Sequence, residues 1–135
     1  MEPSTPDDWV EVAKERARDA RILSDGKRSL GAAYMAGYAV ECYLKAYLQK
    51  KGKGQPPRGN EGHNLRGLWS AAGFRVSDLI DAGGNQTYFI SNWDTRLRYQ
   101  TALDPSLSAD DLMRGAQKLA GLIQKRLRSL IRRSR

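Results

Sequence analysis

The sequence predicts an all-α protein, an antiparallel bundle of about five helices, and two observations carry that reading. Apolar residues recur at three- and four-residue spacing along most of the chain. No two segments alternate in the way that would pair them as strands, and there is no internal repeat. At 135 residues the chain reads as a single domain over 1–135, long enough to bury a core without disulfides.

Thr5-Pro6-Asp7-Asp8 has the chemistry of a helix start. Thr5 is a capping residue, Pro6 sits where a missing N–H costs nothing, and the acids face the positive end of the helix dipole. Trp9, Val12, Ala13, Ala17, Ala20 and Leu23 then fall on one face, and Asp25-Gly26 ends the run. A second helix is expected from Ser29 to Lys50. Its glycines and alanines let neighbouring helices approach closely, while Tyr34, Tyr38, Tyr43 and Tyr47 fill wider gaps.

Residues 50–63 read as a flexible loop, with glycines and a Pro-Pro pair. Asn64 starts a short helix carrying Leu65, Leu68 and Trp69, which ends at Gly73. Val76 to Ala82 makes a turn or two, and Thr87 to Leu97 is expected as one helix. After the Asp104-Pro105 break, Ser108 caps a final helix over about 109–133. Leu112, Ala116, Leu119, Ala120, Ile123, Leu127, Leu130 and Ile131 form its apolar stripe, with most of its basic residues opposite.

The single cysteine, Cys42, excludes an internal disulfide and should be an inert packing residue. With one Cys and one His, a His/Cys zinc site cannot be built in a monomer, and no metal or other cofactor is expected. The N-terminus is polar and acidic, unlike a secretory signal. The longest apolar run, Leu30 to Val40, stops at Glu41, far short of the ~20 residues of a membrane span. A soluble, cytoplasmic protein is expected.

The net charge of +8 is unevenly placed. Residues 1–111 hold 15 basic and 15 acidic residues, whereas 112–135 hold eight basic residues and no acid. Lys118, Lys125, Arg128 and Arg132 are therefore candidate contacts to an anionic partner, RNA above all. A solvated face and membrane-surface attachment are the alternatives. The stripe lacks Trp and Phe, and the bundle needs it for its core.

A helix reading GYAVECYLKAYL, a loop, then GHNL, then a Trp segment ending in Arg98-Tyr99 resembles the HEPN superfamily of nucleotide-binding domains. The matching residues, Gly37, Tyr38, Glu41, Leu44, Lys45, His63, Leu65, Trp93, Arg98 and Tyr99, span about half the chain. The resemblance implies a helical bundle, frequently a homodimer, linked to RNA cleavage, nucleotide binding or a toxin–antitoxin pair with a nucleotidyltransferase. Ribonuclease members carry an Arg and a His four to six residues apart on a late helix. His can accept the 2′-hydroxyl proton and Arg can stabilise the phosphorane charge. Arg58 and His63 match that spacing, but in the loop, and the late helix of this chain has no His.

His63 accordingly reads as a brace for a helix start, with catalysis and ligand contact as alternatives. Glu41 and Lys45 can pair within their helix. The reading adopted for Glu41 draws it inward to Arg98, which would satisfy a costly buried charge. Trp93 and Tyr99 are expected as core or interface anchors, ahead of a base-stacking role. The function expected is binding of nucleic acid or of a nucleotide-handling partner, without catalysis. The alternatives are a metal-independent endoribonuclease using Arg58 and His63, and the protein-interaction half of a toxin–antitoxin pair.

Overall fold

The computed structural model describes residues 2–54, 56 and 62–133, the last two by backbone alone. Its elements are α1 (Pro6–Asp25), α2 (Ser29–Lys50), α3 (Leu65–Ala71), α4 (Asn85–Ser91) and α5 (Ala109–Arg133). Two 3-10 turns, Val76–Asp78 and Thr95–Tyr99, complete the order, and no strand occurs among the described residues.

Local chemistry explains the helix starts. The Thr5 hydroxyl accepts the Asp8 amide at 3.1 Å, and the Asp8 carboxylate accepts the Thr5 amide, a reciprocal capping box. Asn64 accepts from the Gly67 amide, and the Ser108 hydroxyl from the Asp111 amide.

α2 is the centre of the bundle and is buried from Ala32 to Leu48 apart from a few half-buried positions. α1 packs along one side of it, α5 along another, and α3 and the second 3-10 turn cover the rest. The tight α1–α2 turn makes those two antiparallel. α5 runs in the same sense as α2: Gln124 donates to the Tyr43 hydroxyl at 2.9 Å, while Leu30 and Ala109 border one cleft at their starts. The core centres on Val40, Leu44, Leu65, Phe89, Leu112, Leu119 and Ile123. Burying each such side chain contributes about 1.5–3 kcal/mol.

Two expected elements change form. The Val76–Ala82 turns shrink to the short 3-10 turn at Val76–Asp78. The Thr87–Leu97 helix is two pieces. It begins earlier, because the Asp81 carboxylate accepts the amides of Gln86 and Thr87, and it stops at Asn92. Trp93 then turns into the core, and Asp94 caps a separate 3-10 turn by accepting from the Arg96 amide at 2.7 Å. On α5 the apolar stripe is buried through Leu127 apart from the half-buried Ala120, but Ile131 is 38% exposed.

Candidate functional site

The buried charges of α2 meet the loop histidine. Glu41 is 2% exposed and Lys45 is 5% exposed. The Lys45 ammonium donates to one carboxylate oxygen at 3.0 Å, and His63 Nδ1 lies 2.8 Å from the other. A carboxylate only accepts, so Nδ1 carries the proton and Nε2 is left for another partner. The Lys45 ammonium also stands 4.9 Å over the Trp9 ring, a cation–π contact that helps to hold it in the interior. His63 itself is one-third exposed. It borders an open cleft of about 640 Å³ shared with Arg66, Asn92, Trp93, Asp94 and Arg96.

An aromatic row leads away from His63. The Tyr38 ring stands edge-on to the imidazole and to Trp93, at 5.7 and 5.6 Å. Tyr34, one turn earlier, donates to the Tyr38 hydroxyl at 3.3 Å. Burial first, then the Tyr34 contact and the Glu41 charge, push the Tyr38 phenol well above its ordinary pKa, so it stays neutral. Trp93 seats its ring on Gly37 and donates from Nε1 to the Ala33 carbonyl at 3.2 Å.

The expected Glu41–Arg98 pair does not form. Tyr34 and Tyr38 stand between the two, and both Glu41 oxygens are taken by Lys45 and His63. Arg98 is exposed, interacts with the Tyr34 and Tyr99 hydroxyls, and lies 4.9 Å over the Tyr99 ring. Tyr99 is not a core anchor either. It is 75% exposed, because the 3-10 turn buries only Leu97.

On α5, Lys118, Lys125 and Arg128 are all exposed. Their spacing puts them on one face over about 15 Å, with open space at Gly121 between them. Arg126 lies over the Phe74 ring at 5.9 Å, and Arg114 is ion-paired to Asp111, so part of the basic excess is engaged locally.

A family model for the HEPN domain matches residues 6–127, from the first residue of α1 to the last buried leucine of α5. The chain belongs to the HEPN family. No curated protein and no solved structure matches it. HEPN domains are in general nucleotide-binding or ribonuclease-like helical domains. No helix among the described residues is long and apolar enough to cross a membrane.

In this HEPN domain Glu41, Lys45 and His63 come together, with Trp93 one aromatic ring away. The α5 cations form a separate surface. Arg58 and the Arg132 side chain lie outside the described residues, so the Arg58–His63 pairing has no geometry here. Tyr34 and Trp9 escaped the sequence reading as members of the site, and Tyr38 entered it only through the family resemblance. The four-residue spacing of the two tyrosines, one turn before Glu41, was the available signal.

Proposed function

We propose that this HEPN domain binds nucleic acid through the α5 face carrying Lys118, Lys125 and Arg128, without catalysis of its own. One observation carries the reading: three exposed cations share one helical face, in a segment that holds no acidic residue from Leu112 onward. Arg132 continues the same spacing. Like charges along such a row repel one another, and a phosphate backbone relieves that repulsion. The contacts are to phosphates, so they position a strand without reading its sequence.

The test is a fluorescence-anisotropy titration of RNA and DNA oligonucleotides at several salt concentrations. Affinity should fall with a log–log slope of about 0.7–0.9 per phosphate contacted. The triple variant Lys118→Glu/Lys125→Glu/Arg128→Glu should weaken binding by a similar factor for every sequence while the helical circular dichroism persists. No binding to any oligonucleotide at low salt would end the reading and leave an acidic protein, such as a nucleotidyltransferase, as the partner of this face. The reading also takes the chain as a homodimer, which sedimentation checks.

A second reading, a metal-independent endoribonuclease, is favoured by the orientation of His63. Glu41 holds its Nδ1, leaving Nε2 as a proton acceptor beside a cleft that also contains Arg66 and Arg96. Cleavage in the presence of a chelator, lost in both His63→Ala and Arg58→Ala, would establish it. Wild type indistinguishable from His63→Ala would dismiss it.

A further inference from the structure

A second cleft, of about 800 Å³, shares no lining residue with the His63 cleft and none with the cationic row of α5. Its volume is that of a site for a small molecule. Two chemistries meet in its lining. Lys27 and Arg28 from the α1–α2 turn and Arg98 from the second 3-10 turn supply three cations against one carboxylate, Asp104. Leu23, Leu30, Leu97, Leu103 and Leu107 supply an aliphatic surface. Asp104 is committed to its own loop, accepting from the Ser106 amide at 2.9 Å and from its hydroxyl at 2.8 Å. None of the three cations pairs with a carboxylate among the described residues.

Cations gathered in a concavity with little counter-charge raise the local potential and draw in anions. A guanidinium fork matches the two oxygens of a carboxylate. Asp104 in the same lining repels a doubly charged head more strongly than a singly charged one. The remaining surface suits hydrocarbon, because covering half-buried leucines takes apolar area out of water. Its only aromatic residue is Tyr34, which is already packed against Tyr38 and Trp93. From this juxtaposition we infer that the cleft binds a small amphiphilic carboxylate, an organic acid with an aliphatic body. The head lies among Lys27, Arg28 and Arg98, and the body lies on the leucines. The first amides of α2, those of Ser29, Leu30 and Gly31, come from residues that line the same cleft and have no partner among the described residues. The site is independent of the α5 reading and stands whether or not that reading does.

The experiment titrates the full, isotope-labelled chain with octanoate, acetate, octanol and octyl phosphate, and follows the backbone amides by NMR. Octanoate should bind saturably, one per chain, and shift the amides of Ser29, Leu30, Gly31 and Leu107. Acetate should bind more weakly, since it has no body to bury. Octanol should bind about tenfold more weakly than octanoate, as expected when a charge-assisted contact is lost. Arg98→Gln and Lys27→Gly should each weaken octanoate by about threefold to tenfold and leave octanol unchanged. Glycine is chosen at position 27 because that residue has a φ of 64°.

Both altered side chains are exposed, and the amide spectra themselves report whether each variant is folded. No saturable shift with millimolar octanoate, or octanoate binding undiminished in both variants, would overturn the site. Octanol binding as tightly as octanoate would overturn the anionic head, and acetate binding as tightly would overturn the apolar body. Octyl phosphate binding more tightly than octanoate would overturn the choice of a carboxylate.

Discussion

Glu41 shows how one charge can be carried inside an apolar helix. Its two oxygens are shared between Lys45 and His63, so the carboxylate loses water without losing its hydrogen bonds. Removing it leaves the Lys45 ammonium buried with, among the described residues, the Trp9 ring as its remaining charge-stabilising contact. Glu41→Ala should therefore destabilise the domain by about 3–5 kcal/mol in urea unfolding. The double variant Glu41→Leu/Lys45→Met should cost less than Glu41→Ala, because it leaves no orphan charge; a double variant less stable than the single one would refute this account.

Asp81 carries a pH-dependent share of the stability. Burial pushes its carboxyl pKa up, but the Thr87 amide and hydroxyl and the amides of Gln86 and Asn85 outweigh that, and the net shift is downward. A depressed folded-state pKa means stability that is present above the ordinary carboxylate value and lost as pH falls through the folded one. Asp81→Asn should thus be less stable than wild type at pH 7, by about 1 kcal/mol as for a lost helix cap. The gap should close on acidification below the carboxylate range, and a gap constant from pH 7 to pH 2 would contradict the assignment.

Among elements, the contact that sets the architecture is the seating of Trp93 on α2. A methyl group at position 37 would fall inside the Trp93 indole, so glycine is required there by close approach rather than by backbone conformation. Gly37→Ala raises helix propensity by about 1 kcal/mol, yet the overpacking costs about 1–3 kcal/mol or more. A lower unfolding midpoint with a changed Trp emission spectrum is the expected outcome. A stabilised Gly37→Ala variant would mean that the indole can move aside at little cost. The same seating divides the 85–99 segment, because a continuous helix could not turn Trp93 toward Ala33 and still let Asp94 cap the following turn.

The molecule as a whole is a closely packed bundle with its charge excess at one end of the chain. Its closure can be read from one atom. Cys42 is buried in α2, and burial, with the Glu41 charge, pushes its thiol up to about 12. The native thiol is thus both protonated and covered at pH 8. A disulfide reagent should label it only through opening of the bundle, so the labelling rate should rise with urea in step with global unfolding. Rapid stoichiometric labelling of the native protein would show that α2 is far more accessible than its packing implies.

The helices were legible in the sequence because their signals are local. The Thr5 cap with Pro6, the Ser29–Lys50 run, the Asn64 and Ser108 caps and the α5 stripe each involve residues within a few turns of one another. Glu41, Lys45, His63 and Trp93 stood out in the sequence as parts of one family pattern, but nothing in their order said that they meet. Their partners were not legible. Whether Glu41 meets His63 or Arg98, whether Tyr99 is covered, and where the 85–99 segment breaks all depend on which faces the packed helices bring together. That choice is made by the glycine-to-indole contact at Gly37 and by the tyrosines standing between Glu41 and Arg98. These are long-range fits of shape, and a local pattern of residues carries no record of them.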